Sequence, residues 1–300
     1  MEEQTFGPIH FIPGDNRGRY PFCNSLYIEG AGILIDPASS RERLIRLRAE
    51  QGVKMVWLSH WHEDHFMHLD LFEDLPLWIS PGDTPPLSDI SIFLQWYGFS
   101  EAEQLFWEPL LRDQFHFRPR RPTRYLIGGE TINLGEISVD VIATPGHTPG
   151  HLAFLFRDPS VLFAGDYDLT PFGPWYGDLF SDIDATRNSV GLLRELPAGI
   201  VLTGHESGVF EHPPKELWQR YEAVITERER KILKALDNPL SLEEITDMWI
   251  IYGKPREPKA FFAFGERVHM IKHLDHLQKR GLVIRENGLY RKKTGGLSTV

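Results

Sequence analysis

An α/β fold of mixed strands with covering helices, followed by a small helical domain closed by a hairpin, is the expectation for this chain of 300 residues. Three features predict it. Strand patterns alternate with helical ones through the first 219 positions, and three helical patterns with a hairpin signal follow them. The charge also changes sign between the two parts: residues 1–219 hold 16 Lys and Arg against 31 Asp and Glu, whereas residues 220–300 hold 16 against 11. Consecutive prolines end regular structure, so Pro213 and Pro214 place the junction of the two parts, 1–219 and 220–300, close by.

Within the first part, SLYIEGAGILID (25–36) predicts a hairpin turning at Gly30 to Gly32, and RERLIRLRAEQG (41–52) a short amphipathic helix stopped by Gly52. VKMVWLS (53–59) predicts a buried strand. The aromatic segment at about 85–120, centred on residues 89–117, contains a capping box from Ser100 to Glu103 and predicts an inserted helical pair. Its Trp96, Tyr97, Phe99, Phe106 and Trp107 are expected either to pack within their own domain or a second subunit, or to form a lid. ETINLGEISVDVIATPGH (130–147) and HLAFLFRDPSVLFAGD (151–166) give two strands each, the second pair around Asp158-Pro159. In the last part ITERERKILKALD (225–237), SLEEITDMWI (241–250, with a capping box at Ser241 and Glu244) and FGERVHMIKHLDHLQKRG (264–281) read as helices. LVIRENGLYRKK (282–293) reads as a hairpin turning at Asn287-Gly288. Three helices and a hairpin describe a winged helix.

Composition narrows the classes of function. No apolar run approaches the roughly 20 residues that cross a bilayer, so no membrane span is expected. Met1 to Gly14 lacks the basic start and apolar stretch of a secretory signal, and a single cysteine, Cys23, permits no internal disulfide. Both suit a reducing cytoplasm.

The chemistry lies in WLSHWHEDHF (57–66). His60 and His62, two apart at the end of a strand, project to the same side, and Asp64 and His65 follow as the chain turns. Crowding ionisable groups is costly unless something holds them. Two divalent cations about 3.5 to 4 Å apart would relieve it, and imidazole with carboxylate suits zinc, iron or manganese.

HWHEDH resembles the HxHxDH signature of the metallo-beta-lactamase superfamily. Downstream, TPGHTPGH with His147, LFAGDYD with Asp166 and LTGHESG with His205 resemble the later motifs of that family in their order. CNSLYI with LIDP resembles its opening hairpin, so the resemblance spans roughly residues 8–212. It implies an αββα sandwich for the first part. Position by position it implies that His60, His62 and His147 hold one metal and that Asp64, His65 and His205 hold a second. Asp166 would bridge them, Asp64 and Asp166 being the catalytic carboxylates and a metal-bridging hydroxide the nucleophile. Two divalent ions are expected, zinc first, with iron or manganese as alternatives. The last part resembles the C-terminal winged-helix domain of the lactamase-beta-2-like branch, whose relatives include a single-strand RNA endonuclease and proteins labelled as acyl-glutathione hydrolases.

The expected function is hydrolysis of a small thioester or ester with an apolar acyl or aryl group; the alternative is an endoribonuclease cleaving phosphodiesters. Residues 254–300 carry eleven Lys and Arg against four Asp and Glu, which suits nucleic acid. The net −15 of residues 1–219 opposes it by repelling a polyanion. A small molecule is therefore the expected partner, with a homodimer through the winged helix as a further expectation. HFMHL (65–69) is bulkier than the Gly-Gly of glyoxalase II-like relatives, and TGHES (203–207) replaces the commoner PGHG, its Glu206 expected either to stand behind the second metal's ligands or to lie at the surface. His151 is expected to pack rather than ligate, Glu63 to be solvated, and the loop 170–178 to line a pocket. His269, His273 and His276 share one helix face, expected to be solvated or at an interface.

Overall fold

The computed structural model describes residues 2–293. Two sheets stack face to face. The first joins β1 (Gln4–Phe6), β2 (Ile9–Ile12), β3 (Ser25–Ile28), β4 (Ile33–Ile35), β5 (Met55–Trp57), β6 (Leu77–Ile79) and β7 (Arg124–Tyr125) in sequence order, antiparallel as far as β4 and parallel beyond it. The second runs β13 (Val209–Glu211), β12 (Ile200–Leu202), β11 (Val161–Phe163), β10 (Leu152–Arg157), β9 (Ser138–Ala143) and β8 (Thr131–Asn133), antiparallel except where β11 meets β12.

Strand alternation builds the layers. All four residues of β3 are buried, Leu26 and Ile28 between the sheets and Tyr27 towards the outer helical layer, because the sheet is covered on both faces. Between the sheets, Phe11, Leu26, Ile35 and Trp57 meet Val139, Val141, Phe154 and Phe163. On the outer side of the first sheet, Leu44 and Leu47 of the helix Arg41–Gln51 cover Leu34 and Val56. On the outer side of the second, Val190 and Leu193 of the helix Ile183–Glu195 cover Leu155 and Leu162. The result is the helix–sheet–sheet–helix order expected. Gly52, with φ 74°, ends the first of these helices as its position implies.

The insertion forms helices Thr84–Ser88, Ile90–Tyr97 and Glu101–Asp113, the last with its capping box between Ser100 and Glu103. After β13 come helices Lys215–Ala235, Leu242–Thr246 and Lys259–Lys279, then β14 (Val283–Glu286) and β15 (Leu289–Lys292), joined through Asn287 and Gly288 at φ 51° and 81°. Positive φ at both turn residues matches the twist of the paired strands.

The expected junction at 219/220 falls within a helix. Lys215–Ala235 runs unbroken through it, with Trp218 and Tyr221 packed against the second sheet's outer layer and Ile232 in the C-terminal core with Met270 and Leu274. Pro213 and Pro214 lie directly before this helix, where proline is tolerated, and the helix's apolar stripe serves both cores.

Candidate metal centre

Four strands running into one edge deliver the site. His60 follows β5, His147 follows β9, Asp166 follows β11 and His205 follows β12, each three or four residues beyond the strand. Ligand atoms of His60, His62, His147 and Asp166 gather in one group, and those of Asp64, His65 and His205 in a second. All seven residues read from the sequence meet here. Asp166 lies between the groups: its Oδ2 faces His147 at 3.3 Å and His60 at 3.8 Å, while its Oδ1 faces His65 at 2.8 Å and His205 at 3.4 Å. Asp64 Oδ2 stands 3.4 Å from His205 Nε2. Gly204 permits the closure, since a Cβ there would sit 2.9 Å from both Asp166 Oδ1 and His65 Cε1.

Each imidazole is oriented from behind. The Ser59 hydroxyl donates to Asp36 at 2.6 Å and so accepts from His60 Nδ1 at 2.9 Å. His147 Nδ1 donates to the Trp175 carbonyl at 2.9 Å, and His62 Nε2 to Asp178 at 3.3 Å. His65 Nδ1 donates to Asp36 at 2.8 Å, and His205 Nδ1 to the Gly18 carbonyl at 2.9 Å. With the outward nitrogens so engaged, the inward ones face each other. His60 Nε2, His62 Nδ1 and His147 Nε2 lie 2.9 to 3.1 Å apart, and His65 Nε2 lies 3.3 Å from His205 Nε2. Nitrogen lone pairs converge this closely only around a cation, which is a proton in the metal-free chain and a divalent ion in a loaded one. The donor set fits two metals.

Charge in the metal-free site follows the same geometry. Burial holds His60 well below the ordinary histidine value and His147 down at about 4, so both are neutral. Burial opposes protonation of His65 and His205 too, but Asp166 outweighs it, raising His65 strongly and His205 to about 10. Asp166 is itself held far below the carboxylate range, the surrounding histidines overcoming its burial.

Several supports escaped the sequence reading. Asp36, at the end of β4, serves both groups, accepting from Ser59 N at 2.7 Å as well as from the Ser59 hydroxyl and His65; its place in LIDP was the available signal. Asp178 and Trp175 lie in the loop 170–178 expected to line a pocket, but at more than 100 residues from His62 nothing local paired them with its ring and that of His147. Asp83, from the insertion's first turn, accepts from Thr148 Oγ1 at 2.5 Å and Gly150 N at 2.6 Å and so steadies the His147 loop, while burial raises its carboxyl to about 7.

Glu63 is not solvated. It is 4% exposed and accepts from Tyr20 at 2.9 Å and Tyr97 at 2.5 Å, because the helical turn Glu63–Phe66 points it inward beneath the insertion. His151 packs as expected, its Nδ1 on Thr144 and its Nε2 accepting from Asp166 N. Glu206 lies at the surface near Arg19, 3.8 Å away.

The aromatic insertion walls the centre. Tyr97 stacks on His62 with ring centroids 5.4 Å apart, Trp61 packs against Phe93 and Trp96, and Phe99 stacks on Trp107. Phe106 is the exception at 59% exposed. From the loop 170–178, Trp175 stands edge-on to His62 at 5.3 Å and to His147 at 5.6 Å.

The C-terminal helices grip that loop. His269 Nδ1 donates to the Gly265 carbonyl at 2.8 Å, leaving Nε2 to accept from Tyr176 N at 3.3 Å; His273 meets the Tyr176 hydroxyl at 3.0 Å. Arg228 donates to the carbonyls of Phe172 and Pro174, and Lys272 to those of Leu179 and Ser181. His276 is held between Glu229 and Asp184. The three histidines therefore occupy an interface, not a solvated face.

Known proteins agree with this geometry. A family model described as the metallo-beta-lactamase superfamily matches residues 18–205. A hydroxyacylglutathione hydrolase of Photorhabdus laumondii is 28% identical over 66% of this chain and 69% of its own length. An atrochrysone carboxyl ACP thioesterase of Aspergillus fumigatus is 25% identical over 76% of this chain and 64% of its own length. A metallo-beta-lactamase family protein of Thermus thermophilus, 23% identical, superposes with a TM-score of 0.72 over 96% of this chain and 99% of its own, so the likeness in fold extends through the C-terminal helices. With the family model covering more than half of its length and every motif position converging on one centre, the chain belongs to the metallo-beta-lactamase superfamily.

Proposed function

We propose that the protein is a dinuclear metal-dependent hydrolase of a small thioester or ester carrying an apolar acyl or aryl group. The observation that carries the reading is the convergence of five inward imidazole nitrogens on the two oxygens of Asp166. Zinc is the metal this nitrogen-rich set suits best. Bound there, two such ions supply the Lewis acidity that activates water and polarises a carbonyl oxygen. The chain's own contribution would be to hold the ions with His60, His62, His147, Asp64, His65 and His205, Asp166 facing both groups, to supply Asp64 and Asp166 as the catalytic carboxylates, and to exclude water with aromatic rings. Relatives named as thioester hydrolases support the bond type. Half-buried Trp175 borders the centre, edge-on to His62 and His147, and half-buried Tyr20, bonded to Glu63 and stacking on Phe261 at 4.7 Å, stands nearby; these rings suit an apolar group better than a phosphodiester strand.

Five of the eleven basic residues in 254–300 are engaged within the protein. Arg267 pairs with Glu103, Arg280 with Glu229, Arg291 with Glu286 and Lys292 with Asp237, and Lys272 caps carbonyls. We therefore assign residues 220–300, a winged helix by element order, to supporting the centre rather than to binding RNA. The test compares aryl and acyl-glutathione thioesters with single-stranded RNA as substrates of zinc-loaded protein. Thioester turnover that chelation abolishes and zinc restores is expected; metal-dependent RNA cleavage with no thioester turnover would overturn the reading.

A further inference from the structure

His68, Asp70 and His116 form a cluster outside the paired centre, with one ligand atom from each lying within 4.8 Å of the others. They come from two separate elements. His68 and Asp70 stand at the start of the turn Leu69–Phe72, just after HWHEDH, and His116 follows the last insertion helix.

His68 poses the problem. It is 3% exposed, and neither ring nitrogen has a hydrogen-bond partner. Buried polar atoms are nearly always paired, so an imidazole with both nitrogens orphaned points to a missing ligand. Burial also pushes its pKa down to about 4, leaving lone-pair donation open to it at neutral pH. His116 faces it with ring centroids 5.8 Å apart. The Met67 carbonyl takes the hydrogen of His116 Nδ1 at 3.0 Å, so Nε2 is the free nitrogen. The backbone of His116 sits at φ 51°, a conformation that costs a non-glycine residue energy and is kept where something fixes it.

Asp70 completes the group. It accepts both prongs of the Arg41 guanidinium, at 2.8 and 2.6 Å. A carboxylate offers about four lone-pair sites, so a cation can share it with the arginine. A cavity of about 10 Å³, bordered by Asp70, Glu73 and His116 and also by Arg118 and Arg120, adjoins the cluster and has room for a single water.

We propose that His68, Asp70 and His116 bind a third divalent metal ion, zinc or a cation of similar softness, separate from the paired centre. Two imidazoles, a carboxylate and a water form a set that zinc takes tetrahedrally. The ion would tie the end of the helical insertion to the segment that follows the HWHEDH turn. Since the insertion also carries Tyr97 against His62, such a tie would steady the wall of the paired centre without touching its reaction.

Stripped full-length protein is reloaded with zinc, desalted and assayed for metal content and thermal midpoint. Three equivalents per chain are expected in the parent, and two each in His116→Ala and His68→Leu. The third equivalent is expected to raise the parent's midpoint by several degrees and to leave His116→Ala unmoved. Asp166→Asn should lose occupancy at the paired centre while keeping the third ion, which separates this site from the other. Two equivalents in the parent, or three retained in both His116→Ala and His68→Leu, would overturn the proposal. So would a His68→Leu chain that melts higher than the zinc-loaded parent, because leucine in place of an orphaned histidine stabilises only if no ion was held there.

Discussion

One carboxylate behind the candidate ligands serves both groups of the centre. Asp36 orients His60 through the Ser59 hydroxyl and His65 directly, both at its Oδ2, while its Oδ1 accepts from Ser59 N, so one carboxylate sets which nitrogen each of these rings turns inward. Asp36→Asn keeps the volume but turns an acceptor into a donor. The expected outcome is a loss of about 10- to 100-fold in affinity at both sites, the usual scale for partners behind a ligand, measured by chelator competition; a loss confined to one site would contradict the shared role. Protons compete at the same atoms. In the metal-free chain His205 keeps its proton up to about 10, and His65 is raised in the same direction. A cation must displace those protons, so binding strengthens as pH rises and weakens as it falls. Zinc added to lightly buffered metal-free protein at pH 7 should release protons, and affinity should drop between pH 7 and 5.5. Binding that is level across that range would show that these rings do not ligate.

At the scale of elements, the loop after Asp166 is shaped by the helices of the C-terminal part. Trp175 turns its carbonyl to His147, and the next residue's amide is held by His269. His269→Phe fills similar space but leaves the buried Tyr176 N–H unpaired, a loss of about 1–3 kcal/mol. It is expected to weaken zinc retention and to lower kcat more than it raises KM, with the circular dichroism unchanged. His269→Gln, whose amide oxygen can accept from the same N–H, should recover part of both. Equal loss in the two variants would mean that His269 only fills space. Lys272→Glu belongs with this test: the ammonium donates to the carbonyls of Leu179 and Ser181 beside Asp178, so reversal should impair thioester turnover as well.

For the whole molecule the shared helix matters most. Lys215–Ala235 contributes Trp218 and Tyr221 to one core and Ile232 to another, while Phe264 joins the core that contains Trp61 and Tyr97. Two units stitched in this way should unfold together. Calorimetry is expected to show one transition, moved upward by zinc in proportion to the logarithm of its excess. Two separated transitions, with only the first responding to zinc, would show that the C-terminal part stands alone. Removing residues 220–300 would cut this helix and release Arg228, His269 and Lys272 from the loop, so loss of metal binding is the expected result of that truncation.

What the sequence determined by itself was local or periodic. Strand and helix patterns depend on neighbours a few residues apart, Gly52 and Asn287-Gly288 declare their turns, and capping boxes at Ser100 and Ser241 mark helix starts, all of which the structure contains. The candidate ligands were legible in two ways: four donors lie within His60 to His65, and His147, Asp166 and His205 stand in motifs that resemble those of the family, each beyond a strand that feeds the same edge. Only the tertiary structure decided which groups stand behind those ligands. Asp178 reaches His62 across 116 positions and Tyr97 reaches Glu63 across 34, through a loop and an insertion whose polar residues look solvated until packing removes the water. His269, His273 and His276 show the limit most directly: i, i+4 spacing places them on one face of a helix, and nothing in that spacing says what covers the face. Burial is a property of the partner surface, and that surface is supplied by residues 172–184 and 228–229, brought there by the fold of the whole chain.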